Sequence, residues 1–127
     1  MHVVESEYGE AKELGPYWIA SLIEPEQEGA FTAYRVRIEP RQLTSESYHK
    51  IAEELYFVTA GSGIAYLDGQ ARELNTGDFL RLPPGTRHRF ETGDAALEML
   101  DIHSPGSRPD RDVYFTGDRP EGFGSDL

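Results

Sequence analysis

Short runs of branched and aromatic residues, separated by Gly, Pro, Asp and Asn, recur at near-regular spacing along the chain. Runs of this kind predict strands, and seven or eight of them at this spacing are typical of an all-β sandwich or barrel. The predicted strands cover residues 17–23, 31–39, 55–60, 63–67, 71–74, 79–82, 87–92 and 97–103. Apolar positions do not repeat at helical spacing over any dozen residues, and only the acidic stretch 5–14 is predicted as a short helix.

The segments between the predicted strands have the chemistry of turns. Gly61-Ser62-Gly63 and Asp68-Gly69 supply residues that tolerate positive φ, so both are predicted as hairpin turns. Residues 75–78 have similar turn chemistry, and Pro83-Pro84-Gly85 must end a strand because proline has no N–H for the ladder. The tail beyond residue 105 is polar and predicted to wrap a core barrel of residues 17–105.

Length and composition exclude several classes of protein. A chain of 127 residues predicts a single domain, and the absence of cysteine excludes disulfides and thiolate ligands. The net charge of -11 argues against a nucleic-acid partner. The best apolar stretch is far shorter than the ~20 residues that a membrane span needs. The N-terminus has no basic start and no long apolar run, so we expect a cytoplasmic protein without a secretory signal.

Two stretches carry residues that can do chemistry. In 47–61, SYHKIAEELYFVTAG, His49 and Glu54 lie five residues apart at the start of an apolar strand that ends in glycine. In 77–90, GDFLRLPPGTRHRF, His88 opens a new strand after the proline corner. Taken alone, each histidine is an ordinary polar residue at a strand end, and either Glu53 or Glu54 is the functional carboxylate.

The spacing in both stretches resembles the two motifs of the cupin superfamily. The first family motif is H-x-H, three or four residues, E, six residues, G. The second is G, five residues, P-x-G, two residues, H, three residues, N. The matching positions here are His49, Glu54 and Gly61 in the first motif, and Gly77, Pro83, Gly85 and His88 in the second, with Thr92 in place of the asparagine. The resemblance implies a single-domain cupin β-barrel, the jelly-roll-like double-stranded β-helix.

The resemblance also implies that His49, Glu54 and His88 hold one divalent metal ion. Two imidazoles and one carboxylate have the composition of a facial triad, and they suit Fe, Mn, Ni, Co or Zn. One position departs from the family, because Ser47 stands where the motif has its first histidine. Either Ser47 hydrogen-bonds a metal-bound water, or the site is degenerate and empty.

The same resemblance selects Glu54 over Glu53. With Glu54 facing inward, period-2 alternation places Tyr56 on the same inward face and turns Glu53 outward. Phe90 lies beside His88 by the same rule. The two aromatic residues either line a cavity or fill the core.

Two further residues are candidates for catalysis. Alternation places His103 and Asp101 on one face of the last predicted strand. His103 either supplies the missing fourth ligand, carries protons near neutral pH, or hydrogen-bonds the backbone at the barrel rim. Tyr34 is a substrate contact or a core residue, depending on which face of its strand looks inward.

For function, the resemblance implies a metal-dependent enzyme for a small oxygen-bearing metabolite, of dioxygenase, isomerase, cyclase or lyase type. The alternative is a cupin that binds a small ligand without turnover, and Ser47 favours this second interpretation. Family members commonly pair, so a homodimer is also implied.

Overall fold

The computed structural model describes residues 2–5 and 11–125 and is built almost entirely of β-strands. The strands are β1 Lys12–Leu14, β2 Tyr17–Ser21, β3 Thr32–Ile38, β4 Ser47–Tyr48, β5 Glu53–Leu67, β6 Gln70–Asn75, β7 Phe79–Leu82, β8 His88–Glu91, β9 Leu97–Ser104 and β10 Tyr114–Phe115. A 3-10 turn at Pro25–Gln27 is the one helical element in these ranges. The predicted all-β class is confirmed.

A single antiparallel sheet curls into a half-barrel around β5. Its strand order is β1-β2-β3-β9-β5-β8-β4-β10, with β6 and β7 also paired to β5. The first part of β5 pairs with β9 and β7, and residues 62–67 pair with β6. This long strand therefore belongs to both halves of the curled sheet. Its buried residues run from Glu54 near its start to Val58 in the core.

The predicted hairpin at Gly61-Ser62-Gly63 is wrong, because the chain continues through it as one strand. Gly61 has a φ of 78° and pairs with Leu97 after a β-bulge. A Cβ on Gly61 would collide with the carbonyl oxygen of Ala96. The glycine therefore permits a bend and a close approach between strands where the sequence indicated a reversal of the chain.

The predicted helix over 5–14 is wrong at its C-terminal end, and residues 6–10 lie outside the described ranges. Residues 12–14 form β1, which pairs antiparallel with β2 across a two-residue turn. Gly15 in that turn has a φ of 59°, a left-handed conformation that glycine adopts without strain. Pairing with β2 extends the sheet by one strand at this edge.

Two predicted turns are confirmed. Asp68 and Gly69 both have positive φ and join β5 to β6 as a two-residue hairpin. The proline corner ends β7 at Leu82, and the Gly85 N–H then donates to the His49 carbonyl at 2.7 Å. This hydrogen bond ties the second motif to the first.

The inward faces of three strands change from apolar to polar along their length. On β9 the buried residues run from Leu97 and Met99 to Asp101 and His103. On β5 and β8 the same change leads to Glu54 and His88. The apolar residues form one core cluster: Tyr34, Val36, Ile38, Tyr56, Val58, Ala65, Leu74, Leu82, Phe90, Leu97 and Met99. The polar residues therefore gather at one end of the barrel.

The C-terminal segment contributes to that end of the barrel. Its strand β10 pairs with β4 at the sheet edge, in the register Tyr114 with Tyr48 and Phe115 with Ser47. Sequence patterning did not predict either of these two-residue strands. Within the described ranges, no helix has the length and apolar character that crossing a bilayer requires.

Gly61→Ala is expected to destabilise the fold more than Gly69→Ala. Both glycines have similar positive φ, but a Cβ on Gly69 meets open space. Strain at positive φ costs about 1 kcal/mol in each variant, and the collision at residue 61 adds about 1–3 kcal/mol. The free energies of unfolding from urea denaturation check this, and equal losses in the two variants would contradict it.

Candidate metal centre

Four strand ends bring one carboxylate and three imidazoles together at the polar end of the barrel. Glu54 comes from β5, His88 opens β8, His103 lies near the end of β9, and His49 follows β4. Glu54 is 1% exposed and His103 is 5% exposed. Register explains part of this convergence, since Glu54 and His103 are direct partners across the β5–β9 pair.

The Glu54 carboxylate is the point on which the three rings converge. The Nε2 atom of His103 lies 2.7 Å from Glu54 Oε2. The Nε2 atoms of His49 and His88 lie 3.1 and 3.2 Å from Glu54 Oε1. All three rings thus present the same nitrogen to one buried carboxylate.

The other nitrogen of each ring, Nδ1, faces a hydrogen-bond acceptor. The contacts are His49 Nδ1 to the Asp112 carbonyl at 2.6 Å, His88 Nδ1 to the Thr86 carbonyl at 3.0 Å, and His103 Nδ1 to Thr32 Oγ1 at 3.4 Å. Thr32 donates its own hydroxyl hydrogen to the Ser107 carbonyl, so it accepts from His103. With Nδ1 held by an acceptor, Nε2 is the nitrogen that each ring turns to Glu54. Protonated, it donates to that carboxylate; deprotonated, it can ligate a metal ion, as in metal-binding histidines.

The charges of the cluster stabilise one another. Burial alone raises the pKa of Glu54, but the charges of His103, His49 and His88 outweigh it and hold that pKa well below its ordinary value. For His49, burial lowers the pKa, yet the Glu54 charge and hydrogen bonds to Glu54 and Asp112 raise it overall. Burial is the main reason that the pKa of His88 is lowered.

Asp101 is a second buried carboxyl group in the same cluster. Burial and then the Glu54 charge raise its pKa well above the ordinary value. Its Oδ1 atom lies 3.7 Å from His103 Nε2 and has no hydrogen-bond partner among the described residues. The cluster therefore shifts the pKa values of its two carboxyl groups in opposite directions, down for Glu54 and up for Asp101.

The cluster lies at one side of a cavity with a largely aromatic wall. The aromatic lining residues are Tyr17, Tyr34, Tyr56, Phe115 and Phe123. Phe115 and Phe123 belong to the C-terminal segment, which also contributes Arg108, Pro109 and Val113. This segment therefore forms one wall of the cavity.

The cavity-lining residues expected from sequence lie at different depths. Ser47, Tyr34 and Tyr56 line the cavity, whereas Phe90 packs below it, with its ring centroid 5.1 Å from that of Tyr56. The Tyr34 hydroxyl donates to the Ser107 carbonyl at 3.0 Å, and burial raises the pKa of Tyr34 to about 12. Tyr34 is thus a neutral hydrogen-bond donor on the wall.

The donor set fits a divalent cation. His49, Glu54 and His103 can each offer one ligand atom with all three atoms within 4.8 Å of one another. His88, which was expected in that triad from its motif position, contacts Glu54 but lies outside the set defined by this distance. Imidazole nitrogen and carboxylate oxygen are ligands for Fe, Mn, Ni, Co and Zn alike.

Three supporting residues escaped sequence reasoning. Thr32, Ser107 and Asp112 anchor the histidine rings, yet the contacting pairs Thr32–His103 and His49–Asp112 are 71 and 63 residues apart along the chain. Ser107 and Asp112 lie in the segment 105–125, a polar, Gly- and Pro-rich stretch without periodicity. Asp101 had one usable signal, its shared strand face with His103.

Glu54→Gln is expected to lower the pH at which His49 titrates in metal-free protein. The Glu54 charge is the largest contribution that raises the pKa of His49, and burial, which remains, lowers it. In the wild type, the stability due to protonated His49 is complete below about pH 6.5 and is lost as pH rises through the raised pKa. NMR titration of the imidazole with a chelator present measures the shift.

Glu53→Gln is the matched control, because Glu53 faces outward and pairs with Arg81 at 2.6 Å. This variant is expected to leave the His49 titration unchanged. Identical titration curves in the two variants would contradict the arrangement of charges described above.

Comparison with known proteins places these features in a family. The profile described as "Cupin domain" matches residues 34–103. Protein SchB of Streptomyces halstedii is 34% identical over 96 residues, covering 72% of this chain and 70% of that protein. Polyketide synthase CurC of Streptomyces cyaneus is 31% identical over 90 residues, covering 68% of this chain and 58% of that protein.

A solved structure agrees with the fold. The polyketide cyclase RemF from Streptomyces resistomycificus superposes with a TM-score of 0.78, covering 94% of this chain and 87% of that one at 22% identity. The sequence match runs from β3 to β9, over more than half of the chain, and shows that this protein belongs to the cupin family.

Proposed function

We propose that the protein is a metal-dependent cupin enzyme that acts on a small oxygen-bearing metabolite. The observation that supports this most strongly is the convergence of three imidazole Nε2 atoms on the buried Glu54 carboxylate. Three rings with anchored Nδ1 atoms are costly to bury in a purely structural core. A bound cation would replace the Nε2 protons as the common partner of the rings and the carboxylate.

In this proposal His49, Glu54 and His103 hold the metal ion, with His88 as the fourth side chain around it. His103 then takes the role of the motif histidine that Ser47 replaces. The distances within the first three residues support their assignment. The contact between His88 Nε2 and Glu54 Oε1 at 3.2 Å supports the place of His88 beside them.

When bound, the metal would act as a Lewis acid on a carbonyl or enol oxygen of the substrate. The chain itself supplies the binding surface. Asp101 lines the cavity, and its buried Oδ1, which has no hydrogen-bond partner among the described residues, would accept a hydrogen bond from a substrate group that reaches it. The aromatic wall excludes water and offers flat surfaces on which a planar, conjugated molecule can pack.

Among the reaction types open to a cupin, we favour cyclisation of a chain of alternating carbonyl groups. Two similar proteins carry the names polyketide synthase and polyketide cyclase. Such a substrate combines oxygens for a metal with the planarity that the aromatic wall suits. Ring closure forms one carbon–carbon bond between a methylene and a carbonyl carbon, and aromatisation releases water.

Binding without turnover is the second candidate function. It is favoured by Ser47, which leaves one motif histidine missing, and by Glu54, whose oxygens already accept hydrogen bonds from the three rings. A protein of this kind would hold a small ligand against the aromatic wall in the absence of metal.

Metal binding separates these functions. Titration of chelator-treated protein with Zn²⁺ or Co²⁺, followed by calorimetry, is expected to show one site. His49→Ala and His103→Ala should each weaken binding at least 100-fold, more than the roughly 10–100-fold loss typical of outer residues. His2→Ala is the control, because His2 is exposed and bonds the Leu22 carbonyl far from the cluster.

Turnover is tested with a synthetic aryl poly-β-ketone, whose ring closure is followed by absorbance. The metal-loaded protein is expected to accelerate aromatisation, and the chelator should abolish this acceleration. Metal binding without acceleration would contradict the cyclase assignment. The absence of a metal site would contradict the enzyme proposal and leave the binding function.

A further inference from the structure

We propose that Asp112 is a positioning residue that fixes the tautomer and direction of the His49 ring from the C-terminal segment. The inference rests on the proposed function only in treating His49 as a metal ligand. Asp112 is 7% exposed and lies two residues before β10, the strand that pairs with β4 at the sheet edge. It contacts the first motif through both its side chain and its backbone.

The side chain of Asp112 clamps the loop between His49 and Glu54. Asp112 Oδ1 accepts the N–H of Lys50 at 2.9 Å, and Asp112 Oδ2 accepts that of Ala52 at 2.8 Å. The Ile51 N–H lies 3.2 Å from both oxygens. One buried carboxylate thus satisfies three consecutive amides, and it sets how the loop brings His49 toward Glu54.

The backbone carbonyl of Asp112 selects the tautomer of His49. It lies 2.6 Å from His49 Nδ1, and a carbonyl oxygen can only accept a hydrogen bond. Nε2 faces a second acceptor, the Glu54 carboxylate, at 3.1 Å, so the charged ring donates to both. When the ring loses one proton, the shorter contact retains Nδ1–H, and Nε2 becomes the nitrogen open to a metal ion. The Ser107 hydroxyl is also near Nδ1, at 3.3 Å, but it donates to the Arg111 carbonyl at 2.9 Å.

The conformation of Asp112 allows both contacts at once. Its φ is 62°, a left-handed value that Asp and Asn adopt more readily than other residues with side chains. The chain on its N-terminal side is held by Arg111, which donates to both Glu28 oxygens at 2.7 Å. On its other side the Val113 N–H donates to Ser125 Oγ at 2.9 Å.

The test compares Asp112→Asn and Asp112→Gly with Asp110→Asn. Asn keeps the left-handed tendency but cannot accept three amides with both side-chain atoms, and Gly adopts this φ without strain while it removes the clamp. Asp110 is an exposed residue of the same segment, so its variant makes the same change of charge. Backbone amide spectra establish that each variant keeps the native fold.

The first measurement is the ring ¹⁵N spectrum of His49 in metal-free protein, above the pH at which the ring titrates. The wild type and Asp110→Asn are expected to show the Nδ1-protonated tautomer, and the two Asp112 variants a mixture. An unchanged tautomer in both folded Asp112 variants would overturn the proposal. Loss of the native amide spectrum in both variants would assign Asp112 to folding alone and would also overturn it.

The second measurement is the affinity for Zn²⁺. The Asp112 variants are expected to bind about 10–100-fold more weakly than the wild type, and Asp110→Asn with unchanged affinity. If the wild type binds no Zn²⁺, the proposed function fails, and the ¹⁵N spectrum still decides the role of Asp112. Unchanged affinity in both folded Asp112 variants would overturn the role of Asp112 in preparing His49 for the metal.

Discussion

A buried carboxylate surrounded by imidazoles is the interaction on which this end of the barrel depends. Glu54 has almost no contact with solvent, and an isolated buried charge costs several kcal/mol. His49, His88 and His103 offset that cost by facing it with Nε2. Since each ring comes from a different strand end, the position of Glu54 links the geometry of four elements.

The curled sheet explains why the polar cluster forms at one end only. Inward positions on β5, β8 and β9 are apolar along most of their length and polar at the same end. The bend at Gly61 lets β5 serve both halves of the sheet, so Glu54 and the core residue Val58 lie on one continuous strand. The C-terminal segment then covers the cluster from outside the barrel.

Local patterns predicted most of the longer strands and the all-β class. The motif spacing selected His49, Glu54 and His88 as candidates, and alternation placed Asp101 and His103 on one face of their strand, which is buried in the structure. The choice of Glu54 over Glu53 came from family resemblance, because the strand that follows is apolar on both faces. The contact of His103 with the Glu54 carboxylate depends on the β5–β9 register, which the sequence does not reveal.

The sequence did not predict the bend at Gly61 or the contacts between residues far apart along the chain. A Gly-Ser-Gly triplet has the same signal for a hairpin and for a bend, and only the approach of Ala96 distinguishes them at Gly61. Nothing near Asp112 in the sequence indicates that its carboxylate would cap residues 50–52. Contacts of that span depend on the closed sheet, which local propensity does not encode.

Anomalous diffraction from crystals loaded with Co²⁺ would locate the metal. We expect one strong peak within ligand distance of Glu54 and at least two of the three imidazole Nε2 atoms. A peak elsewhere on the molecule, or an imidazole–carboxylate cluster that stays free of metal in saturated crystals, would contradict the proposed metal site.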